Sequence, residues 1–265
     1  GPRLADYLGA VENGRAFGPF DADFGVGTQG GSQDHSAIIC CRQGEIAQVR
    51  FRPTELERQV TFPDDWRLVI AASGVPAPKG GAVREHYNAL ANDTATLIDA
   101  WNRSRGARLE SLLRILESGS QAESELSRLI DHLPDAERLR QRLAQFREET
   151  TGLIPAAVAA LEDRDLEKFG ALVDRSARIG DRALANQVDA TRDLCRLAND
   201  LGAAGASGFG AGFGGSVHAV VNRDIASSFA RKWREEYRRL HPALAERSEF
   251  LVVRPGDGAR EVAVG

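Results

Sequence analysis

No methionine occurs anywhere in the 265 residues, not even at position 1. The reading frame is therefore expected to begin inside a gene, after processing, or as a fragment; Gly1-Pro2 reads equally as a protease scar or an incomplete frame. Cysteine is scarce too. Cys40, Cys41 and Cys195 make no even disulfide framework, and adjacent cysteines rarely pair. No histidine stands at ligand spacing from them, which argues against a thiolate metal site. They read as reduced, mostly buried thiols of a cytoplasmic protein. No signal peptide is visible, nor any apolar run fit to span a bilayer. A net charge of −4 offers no basic excess, which argues against nucleic acid or an anionic membrane as partner. Arg and Glu are abundant but interleaved, as on solvated helix faces.

What the chain does have is glycine. Between Leu201 and Val221 it recurs at 202, 205, 208, 210, 212, 214 and 215, with no charged residue. Such density points to positive φ at successive positions or to close approach of the backbone to something bulky. Successive N–H groups in such a loop can cradle an anion; a plain turn between packed strands accounts for the glycine content equally well. Gly210, Gly212 and Gly215 match a dinucleotide fingerprint, but that loop must open a helix, and Ser216–Val221 reads as a strand. Adding Val217 matches the protein-kinase loop, yet no lysine follows until Lys232 and a catalytic lobe has no room. A membrane span fails because glycine dilutes the few large apolar side chains.

A strand, a glycine loop and a second strand survive. GAAGASGFGAGFGGSVHAVV resembles the third signature motif of the GHMP small-molecule kinases, on their galactokinase branch. Upstream, Gly27-Thr28-Gln29-Gly30-Gly31-Ser32-Gln33-Asp34-His35 is similar to the galactokinase segment GTQSGGMDQ. Two well-separated motifs in the right order make the resemblance specific. It implies an α+β fold: the end of an S5-like N-terminal domain over residues 1–62, then a ferredoxin-like C-terminal domain over 63–265. It also implies transfer of the ATP γ-phosphoryl group, with Mg2+, to a monosaccharide hydroxyl, galactose C1–OH first. A non-catalytic sugar sensor on the same scaffold, or a kinase of another small alcohol, are the rival readings. The family's serine-rich second motif and sugar-binding first motif do not occur here, so this chain by itself is expected to be inactive. Monomer and dimer stay equally open, as do the magnesium ligands.

Periodicity gives the rest of the plan. Apolar positions 4, 7, 8 and 11 predict a helix over 3–13, ended by Gly14. Residues 25–35 read as a loop leading into a short helix or turn around Asp34. Ala37–Cys41 and Ile46–Phe51 read as a hairpin turning near Gln43-Gly44, and Trp66–Ser73 as a buried strand. Val75–Gly81, with two prolines and two glycines, is a loop. From Arg84 the pattern is helical: one helix through Trp101, one through Leu109–Leu116, a polar break over Ser118–Ser124, then Leu139–Ile154, Leu166–Ala177 and Leu184–Leu201. Pro155 is expected just past a helix end. A helix capped by Asp224 and a final strand, Glu249–Val253, complete an antiparallel sheet with helices on one face.

Asp34 is the leading candidate for chemistry, as catalytic and substrate-binding group. A kinase of hydroxyl groups must orient the hydroxyl and accept its proton as the P–O bond forms; an aspartate at the start of a helix also serves as an N-cap. Tyr87, in Glu85-His86-Tyr87-Asn88, stands where galactokinases carry a sugar-contacting tyrosine, whose ring and hydroxyl suit a pyranose; a half-buried core tyrosine is the plainer reading. The resemblance adds Gly31 to the substrate contacts, and places Gly210, Gly212, Gly214 and Gly215 near nucleotide and substrate. Three positions depart from the family: Ser207 replaces Lys or Arg, Phe209 replaces Thr, and His35 replaces Gln. Lone histidines such as His35 and His86 are more often structural or solvated.

Overall fold

The computed structural model describes residues 1–77 and 80–260. The chain forms two compact units that interleave in sequence. One comprises Gly1–Cys40, Val49–Glu57 and Gly80–Gly152; the other comprises Cys41–Gln48, Arg58–Lys79 and Leu153–Gly265.

The first unit opens with α1 (Pro2–Glu12), whose proline sits where no N–H is needed. A glycine-rich loop leads to α2 (Gln33–Cys40). The expected strand over Ala37–Cys41 is therefore mostly helix. A run of three apolar residues after Ala37 carries no period that separates helix from strand. The true hairpin lies further on, where β1 (Glu45–Arg50) pairs with β2 (Glu55–Thr61) as a two-stranded sheet, of which residues 49–50 and 55–57 belong to this unit. A long helix, α3 (Gly81–Arg105), ends at Gly106 in the left-handed conformation. Then come α4 (Leu112–Glu117), α5 (Ala122–Ile130) and α6 (Ala136–Arg147). Leu109 falls outside α4, because the Ser111 side chain accepts from the Arg114 N–H and starts the helix there. The break predicted over Ser118–Ser124 is shorter, since α5 begins at Ala122. Leu97, Trp101, Leu112, Ile115, Leu126, Ile130 and Leu139 form the buried core of these four helices. Each such side chain is worth about 1.5–3 kcal/mol of apolar burial.

The second unit is built on a four-stranded antiparallel sheet in the order β4 (Gly205–Phe209), β5 (Ser216–Asn222), β3 (Trp66–Ala72), β6 (Glu249–Val253). Register pairs Val69 with both Ala219 and Val252. Four helices belong to it: α7 (Ile154–Glu162), α8 (Leu166–Leu184), α9 (Asp189–Asp200) and α10 (Ala226–Leu240). The first strand is central, and a helical stretch separates it from β4. The order is thus the split βαβ arrangement expected of a ferredoxin-like sheet.

Strand alternation sends Val69, Ala71, Val217, Ala219 and Val221 to one face, against Leu194, Phe229, Trp233 and Tyr237 of α9 and α10. Trp66 and Val220 go to the other, against Val158, Leu161 and Phe169 of α7 and α8. Helices therefore cover both faces rather than the single face expected. Gly170 of α8 and Gly205 of β4 allow that second packing: a Cβ added to Gly205 would lie 2.0 Å from the Gly170 carbonyl oxygen.

Three helix ends differ from expectation. A π-helical turn, Glu148–Leu153, follows α6, and Pro155 begins α7 instead of trailing a helix, because the first turn tolerates proline. Asp224 does not cap α10: Ile225 holds the cap position without a side-chain bond, and the Asp224 N–H donates to Asn222 Oδ1 at 2.8 Å. The helix expected over Leu184–Leu201 is divided, with α8 running on to Leu184 and α9 starting only at Asp189. The loop Val75–Gly81 holds as far as Ala77; positions 78 and 79 lie outside the described residues, and Gly81 already belongs to α3.

Candidate active site

In the first unit, residues 27–32 form a loop held from several sides. Asn13 is the C-terminal cap residue of α1. Its amide Oδ1 accepts the Gly30 N–H, while Nδ2 donates to Gly9 O at 2.6 Å and Gly31 O at 3.3 Å. Asn88 of α3 does the same one step earlier: Nδ2 donates to Gly27 O at 3.0 Å and Oδ1 accepts the Gln29 N–H at 2.9 Å. An asparagine amide offers donor and acceptor together, so one side chain completes two backbone groups. Ser32 precedes α2; its carbonyl accepts the Ser36 N–H at 2.7 Å. Its hydroxyl turns to the Thr54 hydroxyl at 2.9 Å, which in turn donates to Asp6 at 3.2 Å. That buried chain ties down the start of the helix.

Asp34 is the second residue of α2 and exposed. The cap position belongs to Ser32, so the N-cap reading of Asp34 does not hold. Its carboxylate has no hydrogen-bond or ion-pair partner among the described residues. It sits in the first turn, where helix N–H groups favour negative charge. Gly31 is exposed beside it, and a Cβ there would meet only the Gln33 N at 3.9 Å. Tyr87 is half-buried on α3, one residue before the clasping Asn88. Its hydroxyl lies 3.0 Å from where a Cβ on Gly30 would sit, so Gly30 is glycine because the phenol packs against its backbone. Gly31 thus lies on the loop, Asp34 follows it in the first turn of α2, and Tyr87 of α3 packs against the loop at Gly30. His35 is engaged elsewhere: Nε2 lies 2.8 Å from Glu12 Oε2. His86 is exposed on α3.

In the second unit, the loop between β4 and β5 does take up positive φ at successive positions: +83° at Gly210, +82° at Gly212, +61° at Phe213, +131° at Gly214 and +78° at Gly215. Two partners hold it. Asn186, between α8 and α9, donates to Ala211 O at 3.2 Å, and its carbonyl accepts the Phe213 N–H at 2.5 Å. On the other side, the Gly215 N–H donates to Val75 O and the Ser73 N–H to Gly215 O, both at 2.9 Å. The Ser73 carbonyl also accepts the Tyr237 hydroxyl at 2.7 Å, and burial pushes that phenol up to about 12. Gly212 and Gly214 are buried by these contacts, whereas Gly210 stays exposed. The N–H groups of Gly210, Ala211, Gly212 and Gly214 make no hydrogen bond among the described residues.

Phe209 is 46% exposed and its ring centroid lies 5.9 Å from that of His218. Burial holds His218 down at about 4, so it stays neutral and offers no proton at neutral pH. Cys195 is pushed up to about 12 by burial and by the charge of Asp174, and the three cysteines are free thiols. Among the described residues no group of three or more His, Cys, Asp or Glu is placed to hold a metal ion. No described helix is long and apolar enough to cross a membrane.

Sequence reasoning passed over Asn13, Asn186 and the Ser32–Thr54–Asp6 chain. Asn13 had a signal, since an asparagine just past a helix end seeks the last carbonyls. Asn186 had none: its partners in the glycine loop, Ala211 and Phe213, lie 25 and more residues away.

Comparison with known proteins agrees with this architecture. Residues 157–239 match the family described as GHMP kinases C terminal. The galactokinase of Thermococcus kodakarensis is 28% identical over 236 residues, covering 88% of this chain and 59% of that protein. The galactokinase of Clostridium beijerinckii is 26% identical over 200 residues, 75% of this chain and 47% of its own length. Among solved structures, Lactococcus lactis galactokinase in complex with galactose superposes with a TM-score of 0.71 at 21% identity, over 89% of this chain and 57% of that one. The chain thus spans roughly half to three-fifths of the length of these relatives.

Proposed function

We propose that this chain, which belongs to the GHMP kinase superfamily on its galactokinase side, carries the acceptor-activating part of a sugar kinase. The reaction is transfer of the ATP γ-phosphoryl group to a monosaccharide hydroxyl, with galactose C1–OH as first substrate. When bound, ATP would supply the phosphoryl group and Mg2+ would neutralise charge on it. No metal cluster exists among the described residues, so magnesium is assigned no ligand in this chain and no step passes through it.

The carrying observation is Asp34: an exposed carboxylate without a partner among the described residues, in the first turn of α2 just after a loop clasped by two asparagines. Asp34 takes the proton from the sugar hydroxyl while that oxygen bonds to the γ-phosphorus and the bond to the β-phosphate oxygen breaks. Gly31 leaves room for the sugar to approach, and Tyr87 offers a ring face and hydroxyl beside the loop. Gly210, Gly212, Gly214 and Gly215 are assigned to the neighbourhood of nucleotide and substrate. Positive φ and free N–H groups at Gly210 and Gly212 support an anion-facing backbone. The family division at 62/63 belongs to the same proposal, as do a cytoplasmic setting and small-molecule partners only.

The second reading is a sugar sensor on the same scaffold, which would bind galactose without needing Asp34. Phosphoryl transfer from γ-labelled ATP to galactose, N-acetylgalactosamine, other hexoses and non-sugar alcohols, measured on the protein containing this chain, separates them. Labelled hexose phosphate supports the proposal. Galactose binding by calorimetry with no label transferred makes it a sensor, and transfer to a non-sugar alcohol alone reassigns the substrate.

A further inference from the structure

A second cleft in the first unit, independent of the kinase reading, encloses about 440 Å3 between α1, the turn after Phe51 and α3. That is within the usual range for small-molecule pockets. Arg15 and Arg52 both line it. Among the described residues the Arg15 Nε and Nη2 atoms and the Arg52 Nε are buried without a hydrogen-bond partner, and neither guanidinium forms an ion pair.

This arrangement is costly for the protein alone. A buried cationic donor without an acceptor forfeits its hydration. Burial is the chief cause that lowers the affinity of both groups for their protons, and the charge of Arg52 lowers that of Arg15 further. Arg52 also sits at φ +59°, a left-handed conformation that costs a non-glycine residue free energy and recurs at binding sites. Phe51 anchors the pair, with Arg15 5.6 Å and Arg52 5.1 Å from its ring centroid.

Apart from Asn102, the rest of the wall has the opposite sign or is apolar. Asp6, Asp99 and Glu110 line the cleft with Ile98 and Phe17. Asp6 already accepts from Thr54, while Asp99 and Glu110 are exposed. Asp6 and Glu110 attract the two arginines through space but do not satisfy their buried N–H groups. A complementary ligand needs an oxyanion for the guanidinium forks and hydroxyl donors for the carboxylates.

We propose that this cleft is a binding site for a phosphate monoester of a sugar or polyol. The phosphate bridges Arg15 and Arg52, and the hydroxyls face Asp6, Asp99 and Glu110. Guanidinium forks match phosphate oxygens two at a time.

Titration calorimetry and thermal melting with glucose 6-phosphate, inorganic phosphate and sorbitol test this on the protein containing the chain. Glucose 6-phosphate should bind saturably and raise the melting temperature, phosphate more weakly, sorbitol not at all. Arg15→Gln and Arg52→Gln should each weaken glucose 6-phosphate about tenfold to a hundredfold, the worth of hydrogen bonds to a charged group. Arg15→Lys and Arg52→Lys keep charge but lose the fork, and should fall between. Asp34→Asn should leave this affinity unchanged; a loss there instead would place the ligand at Asp34 and overturn the proposal. So would binding that survives both glutamine variants, or no saturable binding at all. If a glutamine variant fails to fold, the lysine variants decide: undiminished binding in both would overturn the assignment.

Discussion

The two glycine-rich loops of this chain look alike in sequence and are held by different means. Between Gly27 and Ser32, side chains do the holding: Asn13 and Asn88 each complete backbone groups, and only Gly27 has positive φ. Gly30 is needed there for the space that the Tyr87 hydroxyl takes. Between Gly210 and Gly215, glycine is needed for handedness: Gly210, Gly212, Gly214 and Gly215 all take positive φ, with Phe213 among them, and most of the bonds are made by backbone. Glycine content alone does not distinguish space for a neighbour from freedom of φ. The first loop presents a carboxylate; the second presents backbone.

The largest effect belongs to the carboxylate. Asp34→Asn keeps the shape but removes the proton acceptor, so turnover should fall about a hundredfold to ten-thousandfold. Melting temperature and ATP affinity should hardly move, since the Asp34 carboxylate makes no bond among the described residues. Label transfer and melting measured on the same sample check this, and near-normal turnover would remove Asp34 from the chemistry.

The second loop should break through folding. Gly212→Val puts a β-branched residue at φ +82°, with its Cβ 2.3 Å from the Asn186 carbonyl oxygen. Strain of about 1–3 kcal/mol comes from the backbone alone, and the clash adds to it. Ala211→Ser, one residue away, should be nearly silent. Chemical denaturation of both variants tests the contrast. A valine variant as stable as the serine one would show that handedness does not govern this loop.

The smallest effect is expected at the clasp. Asn88→Ala frees Gln29 N–H and Gly27 O, but both bonds are exposed and water can replace them. Stability should drop by about 1 kcal/mol, with a fall of about fivefold in kcat/KM as Asp34 loses its fixed position. Asn88→Asp, which keeps the acceptor but not the donor, should fall between. A kcat/KM equal to wild type in Asn88→Ala would mean the loop is held well enough by Asn13 alone.

Much of this was legible from composition and local pattern. β3, β5 and β6 read correctly because short, β-branched-rich apolar runs bounded by Gly, Pro or turn residues leave little choice. α1, α3 and α10 read correctly because their apolar stripes are long. The failures share a cause. Ala37–Cys41 is too short for periodicity to decide, so packing did: Ser32, tied to Thr54 and Asp6, begins a helix that carries those residues along. Asp224 looks like a cap, but Asn222 captures its N–H first. Pro155 reads as a stop until the first-turn position that accepts proline is known.

The sequence by itself determined the elements, the two glycine loops and the residues that resemble a sugar kinase, because spacing and residue chemistry are local properties. Only the tertiary structure decided what each glycine is for. Gly30 yields to a tyrosine 57 positions on, and Gly212 to an asparagine 26 positions back. It also decided that, among the described residues, Asp34 is left unpaired while His35 is bound to Glu12, and that two arginines converge on one cleft with buried N–H groups that meet no described partner. Each of these depends on residues far apart in sequence meeting at hydrogen-bond range, which no window along the chain can contain.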